Sequence, residues 1–270
     1  MYGQQDKGAH YQVGLALSGG GARGFAHIGV LRALEEYHIQ PDLVAGVSAG
    51  SVVAAFYCAG LSSDEILHTF SGESFGSFAG IAVPTKSLFQ LEGFRGFLED
   101  TLGSRRIEQL EVPLRVVATD LDHGHSTVFT EGRISDCVRA SCSIPVIFPP
   151  VIIDGVSYVD GGVLRNFPVM PIRKECDFII GVNVNPVRRE ASYRHNLIGV
   201  AERSYELMFR SNSIEDCELA DMLIEPDGVG DYGVFNTKYM HKIVDTGYRA
   251  AVEVLEEYRK RGILLSHDGA

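Results

Sequence analysis

The first group in this chain that could do chemistry is the serine of Gly46-Val47-Ser48-Ala49-Gly50. A glycine–any–serine–any–glycine run between an apolar stretch and an Ala/Val-rich stretch is the pattern of a strand-to-helix turn that lifts a hydroxyl above a sheet edge. Side chains at Gly46 or Gly50 would collide with the neighbouring strand or helix, so both positions must be small. The following helix turns its unpaired N–H groups and partial positive charge toward the serine. A second turn, Gly19-Gly20-Gly21-Ala22-Arg23-Gly24, also separates a strand from a helix, and a third motif is Val159-Asp160-Gly161-Gly162. An aspartate before two glycines is held on a tight exposed turn; taken alone it reads as an ordinary Asp-Gly turn.

The glycine turn admits two readings. It satisfies G-x-G-x-x-G, the fingerprint of a dinucleotide site. That site wants an acidic residue near the end of the second strand to hold the ribose. Here that strand ends in Gly46-Val47-Ser48, and Asp42 stands at its beginning. In the second reading the two loops act together. Parallel strands deliver both to the same carboxyl edge, where the amides of Gly19, Gly20 and Gly21 can face a carbonyl oxygen attacked by Ser48. Glycine accepts positive φ and lets the backbone come close. One such donor is worth on the order of 3 kcal/mol to a tetrahedral intermediate. Two glycine loops meeting at a serine spell acyl transfer. A base is still required among nine histidines or the carboxylates. In an ordinary α/β-hydrolase an acid and then a histidine follow the serine. His195 and His241 fit that order without a motif around them, and His27 reads as a structural residue of the first helix.

These groups need elements to position them. Val13–Ser18 is a short apolar run, predicted as a strand, and Ile28, Leu31 and Leu34 then recur at helical spacing. Leu43–Val47 predicts a second buried strand, and Ser51–Ala59 a helix ended by Gly60 as its left-handed cap. Strand–helix–strand–helix within sixty residues implies a right-handed crossover and parallel neighbours. Leu114–Thr119 and Phe178–Val184 read as further buried strands, with Ser126–Thr130 and Val151–Ile153 as shorter ones. Asp154-Gly155 marks a hairpin turn. Helical patterns follow at Leu197–Leu219 and Met240–Arg261, with strand-like Met222–Ile224 between them. This alternation predicts an α/β fold of three layers, α/β/α, around a mostly parallel sheet. Phe70, Phe75, Phe78, Phe89, Phe94 and Phe97 lie among glycines and serines. They mark either a lid or acyl-chain wall, or ordinary core helices joined by a loop.

The three motifs in this order resemble those of the patatin-like phospholipase family, of the bacterial and neuropathy-target-esterase-like kind. Arg139-Ala-Ser-Cys-Ser-Ile-Pro145, running on through Phe148-Pro149-Pro150, is similar to that family's block ahead of the aspartate, and Asn166-Phe167-Pro168 to its block after the aspartate. The similarity runs from about Val13 to Asn185; the aspartate motif ends in glycine where many relatives have alanine, and the C-terminal third matches loosely. The resemblance implies a patatin-like fold and a Ser–Asp dyad, with Ser48 as nucleophile and Asp160 as proton acceptor. Gly19, Gly20, Gly21 and Arg23 would form or brace the oxyanion hole. It implies a phospholipase A or lysophospholipase acting on membrane lipids with no metal or organic cofactor. The alternatives are a general carboxylesterase with a Ser-Asp-His triad and a nucleotide-binding protein using the glycine turn.

Composition bounds these readings. With 270 residues, 45% of them hydrophobic, the chain can bury one substantial core. The expected layout is a polar tail over 1–12 and a single catalytic domain over 13–265. A net charge of −11 argues against a nucleic-acid surface. Met1–Tyr11 lacks the apolar stretch of a signal peptide, and no apolar run approaches the roughly 18 residues of a membrane span. Five cysteines without a CxxC pair read as reduced thiols. These features predict a cytoplasmic protein, and the lipid or other acyl ester that the resemblance implies would have it meet a membrane transiently, at its periphery. Its oligomeric state is not legible.

Overall fold

The computed structural model describes residues 9–72, 87–185, 193, 195–234 and 236–263. Among these residues the strands are β1 (Tyr11–Leu17), β2 (Leu43–Val47), β3 (Leu114–Asp120), β4 (His125–Phe129), β5 (Val151–Ile153), β6 (Val156–Asp160), β7 (Cys176–Val182) and β8 (Met222–Ile224). The helices are α1 (Phe25–Glu36), α2 (Ala49–Cys58), α3 (Ser63–Ser71), α4 (Ser87–Leu102), α5 (Ile134–Ser141), α6 (Leu197–Ser211), α7 (Ile214–Leu219) and α8 (Met240–Lys260). The sheet runs β5-β6-β3-β2-β1-β7-β8, with β4 also paired to β3. Strands β3, β2, β1, β7 and β8 are parallel, and β4, β5 and β6 join antiparallel. The expected α/β class and mostly parallel sheet are what the structure contains.

Every residue of β2 is buried, as a parallel strand covered on both faces requires. Alternate side chains serve opposite layers. Leu15, Leu17, Val44, Val116, Ile180 and Val182 pack with α1, α2, α4, α5 and α8 on one face. Ala16, Leu43, Ala45 and Ile179 face Phe167, Val169 and Ile172, with Cys217 and Leu219 of α7 beside them. The second layer is the thinner one, built largely of short turns. Helices α1 and α8 press backbone to backbone: a Cβ at Gly29 would run into the Val244 carbonyl, and one at Gly247 into that of Ala26.

One detail of the topology fixes the site. β2 lies along residues 114–117 of β3 in parallel, while β6 lies antiparallel along 118–120. β4 pairs with residues 116–120 and so fills the other edge of β3. β2 and β6 therefore share one edge and run toward each other, carboxyl end to carboxyl end. Val47 sits opposite Val117, and Asp160 opposite the next residue, Ala118. The residue after β2 is brought to the last residue of β6 although 112 positions separate them in sequence.

The predicted elements are present with shifted ends. β1 begins at Tyr11 and β7 at Cys176, and α2 begins at Ala49, directly after the serine. Gly60 has φ +93, and the amides of Gly60 and Leu61 bond the carbonyls of Tyr57 and Phe56, which closes α2 as expected. The single helix predicted over Leu197–Leu219 is two, α6 and α7, because the chain turns at Asn212-Ser213. Asn212 is drawn aside to hold the site: its carboxamide accepts from Asn166 N–H (3.0 Å) and donates to the Gly162 carbonyl (2.8 Å). Of the phenylalanine-rich segment, Phe70 and Phe97 are core residues, with ring centroids 5.5 Å apart and both against Phe56. Phe75 and Phe78, and the side chain of Phe89, lie outside the described residues.

Candidate active site

Ser48 stands where β2 ends and α2 begins, with φ +50 and ψ −125. For a non-glycine residue this backbone is strained, as expected of a side chain aimed by a sharp turn. The flanking glycines have the predicted reason. A Cβ at Gly46 would lie 2.6 Å from the Gly50 carbonyl oxygen, and one at Gly50 would penetrate the Leu17 carbonyl. The turn is braced by the Ser51 hydroxyl, which donates to the Ser48 carbonyl at 2.7 Å.

The Ser48 hydroxyl donates to Asp160 Oδ2 at 2.7 Å, and the other carboxylate oxygen accepts from Gly162 N–H, also at 2.7 Å. Both residues are buried, Ser48 to 7% and Asp160 to 2% exposure. Burial pushes the Asp160 carboxyl up to about 6, against the two hydrogen bonds that favour its charged form. Thr119 donates to the Asp160 carbonyl (3.0 Å), locking the end of β6 against β3. Gly161 has to be glycine because a Cβ there would strike the Val117 carbonyl.

The glycine turn lies beside this pair: a Cβ at Gly19 would come within 3.2 Å of Ser48 Cβ. Its groups divide into two kinds. Gly19 N–H is given to the Asn166 carbonyl (3.0 Å), and the Gly19 carbonyl accepts from Asn185 Nδ2 (2.5 Å). Ala22 N–H bonds the Val234 carbonyl (2.7 Å), and Arg23 N–H the Gly20 carbonyl (3.2 Å). The amides of Gly20 and Gly21 make no hydrogen bond within the described residues, which leaves these two as the available donors. Gly21 takes φ +56 with the Val234 carbonyl against its α-carbon, where no side chain fits. The Arg23 guanidinium turns away from the serine. It donates to Glu206 (2.7 Å) and to the Tyr232 carbonyl (2.9 Å), bracing the turn from behind.

No histidine bonds Ser48 or Asp160 among the described residues. His195 and His241 are exposed. His27 is fully buried with Nε2 on the Ser18 carbonyl (2.8 Å), and burial lowers its pKa to about 4, so it is a neutral structural ring. Asp42 sits at the far, amino end of β2, accepting from Val13 N–H (2.9 Å), and cannot serve a ribose at the glycine turn. Four more residues serve the site without a role read from sequence: Ser141 and Asn166 lie in the blocks on either side of the aspartate, while Asn185 and Asn212 had no motif to announce them. Ser141, Asn166, Asn185 and Asn212 are polar side chains bonded to main chain around the pair. Such contacts are set by tertiary approach and leave no spacing signal.

Comparison with known proteins identifies the family. A patatin-like phospholipase family model matches residues 15–173. An NTE family protein of Mycobacterium tuberculosis is 37% identical over 178 residues, covering 64% of this chain and 49% of that protein. Lysophospholipase NTE1 of Pyricularia oryzae is 30% identical over 285 residues, covering 93% of this chain and 19% of that one. Neuropathy target esterase sws of Drosophila melanogaster is 34% identical over 164 residues, 58% of this chain and 12% of the relative. The chain thus spans about half the length of the mycobacterial relative and a fifth or less of the other two. Among solved structures, VipD from Legionella pneumophila shares the fold, with a TM-score of 0.52 at 17% identity over 92% of this chain and 67% of that one. Since the family model spans more than half of the 270 residues, this chain belongs to the patatin-like phospholipase family.

Proposed function

We propose that the protein is a serine acyl-ester hydrolase working through a Ser48–Asp160 dyad on phospholipids or lysophospholipids. The observation that carries the reading is the 2.7 Å hydrogen bond from the Ser48 hydroxyl to a buried carboxylate. Ser48 Oγ attacks the ester carbonyl while its proton passes to Asp160. The oxygen that becomes negative is met by Gly20 and Gly21 N–H, donors preorganised in a water-poor site. The tetrahedral intermediate collapses, the C–O bond to the alcohol breaks, and the departing oxygen takes the proton from Asp160. A water then gives its proton to Asp160 and attacks the acyl-serine; as the bond from the acyl carbon to Ser48 Oγ breaks, that oxygen takes the proton back from Asp160, releasing the fatty acid and restoring both residues. A free aspartate, at about 3.9, is a weak base; at about 6, Asp160 is better matched to the task.

The lipid class is supported by the relatives named as lysophospholipase and neuropathy target esterase. Among the described residues no helix is long and apolar enough to cross a membrane. In this reading a lipid substrate is met transiently at a bilayer or micelle surface, with the chain at its periphery. A fluorophosphonate probe tests the nucleophile: it should label Ser48, and Ser48→Ala should abolish both labelling and hydrolysis of a short p-nitrophenyl ester. Retained turnover in that variant rejects the site. Full activity in His195→Ala and His241→Ala excludes a triad. Mass spectrometry of products from a mixed lipid extract then distinguishes phospholipid, lysophospholipid and general ester cleavage.

A further inference from the structure

The main chain of the nucleophile is held by a side chain. Ser48 N–H donates to Ser141 Oγ at 2.8 Å, and that hydroxyl donates in turn to the Val117 carbonyl at 2.6 Å. Ser141 is the last residue of α5 and is fully buried. Val117 faces Val47, the last residue of β2. The next rung of the β2–β3 ladder would join Ser48 N–H directly to the Val117 carbonyl. Instead, one oxygen has been let into the ladder between them. Only a group that accepts and donates at once can fill that place, and a serine hydroxyl does both. β2 can thus leave the sheet at residue 48 without orphaning either buried backbone group. Two residues on, the Ser143 carbonyl accepts from Asp160 N–H at 2.9 Å. A single short segment therefore ties down the main chain of both members of the pair.

We propose that Ser141 is a positioning residue for the nucleophile: its hydroxyl splints the end of β2 so that the Ser48 hydroxyl stays aimed at Asp160. This rests on the dyad reading above. The splint touches no reacting atom, so its loss acts on the chemical step more than on substrate binding. Misplacement of a nucleophile by about 1 Å costs on the order of a hundredfold.

The test is steady-state kinetics on a soluble p-nitrophenyl ester, with melting temperature and the rate of fluorophosphonate labelling at Ser48 measured alongside. Ser141→Ala should lower kcat ten- to hundredfold with KM within twofold, and labelling should slow in step. Ser141→Thr, which keeps the oxygen, should restore most of kcat. Ile243→Val, in the buried core of α8, controls for lost stability and should leave kcat unchanged. If Ser141→Ala does not fold, Ser141→Cys takes its place: similar in size and a weak hydrogen bonder, it should be folded and at least fivefold slow. A folded Ala or Cys variant with wild-type kcat overturns the proposal, as does a slow Thr variant whose melting temperature is unchanged. Failure of the dyad reading looks different, because wild type itself would then not label at Ser48.

Discussion

In the proposed dyad, Asp160 is a carboxylate asked to work as a base from inside the protein. Its burial raises the pKa to about 6, and the bonds from Ser48 and Gly162 limit the rise. A base acts in its deprotonated form, so kcat/KM for a soluble ester should climb as pH rises through about 6 and level off above it. A pH–rate profile flat from 4.5 to 8 would contradict that role. Asp160→Asn should lower kcat by at least about two orders of magnitude, in the range of general base catalysis. At this scale the sequence was readable where function imposes a backbone shape: Gly46-x-Ser48-x-Gly50 and Asp160-Gly161-Gly162 each carry glycines that the structure shows to be sterically required. It was less readable among donors. Gly19, Gly20 and Gly21 look alike in sequence, yet Gly19 N–H is committed to Asn166, and the Arg23 side chain faces Glu206. Which amide stays free depends on partners 140 or more positions away.

Among elements, β3 is the part that aligns Ser48 with Asp160. A strand advances about 3.3 Å per residue, so a one-residue slip of β2 or β6 along β3 would exceed the length of the bond between Ser48 and Asp160. The α2 turn is equally intolerant of added atoms. Gly50→Ala drives a methyl into the Leu17 carbonyl of β1 and should destabilise the fold by at least about 2 kcal/mol, the cost of overpacking against backbone. Gly96→Ala makes the contrast. It lies in α4 with nothing among the described residues within 4 Å of the added carbon, and it should stabilise the protein by roughly 0.5–1 kcal/mol through helix propensity. Urea unfolding of the two variants checks both signs. The strands were legible because a sheet buried on both faces reads as short apolar runs with turn residues between them. The break between α6 and α7 was not, because Asn212 ends the helix through bonds to Asn166 and Gly162 that periodicity cannot register.

For the whole molecule, buried titrating groups make stability depend on pH in opposing ways. Between about 3.8 and 6 the folded chain keeps a proton on Asp160 that the unfolded chain releases, so this group's contribution is lost as pH rises through that window. Asp216, also buried and raised to about 6, acts in the same direction. His27 acts in the other: held neutral down to about 4, its contribution is present above 6.5 and lost as pH falls. Asp160→Asn removes one contribution, with the amide standing in for the protonated carboxyl. Its unfolding free energy should match wild type near pH 4 and exceed it by on the order of 2 kcal/mol at pH 7.5. Chemical denaturation at the two pH values measures the difference, and a variant less stable than wild type at pH 7.5 would refute it. The family match ends at residue 173, yet the glycine turn is moored to chain beyond it: Ala22 to Val234, and Arg23 to Tyr232 and Glu206. Cut out as a module and grafted elsewhere, the matched stretch would arrive with that turn adrift. Conversely, if the turn donates to the reacting oxygen as proposed, the loosely matching C-terminal third becomes a remote dial on turnover, reached without altering any atom that reacts.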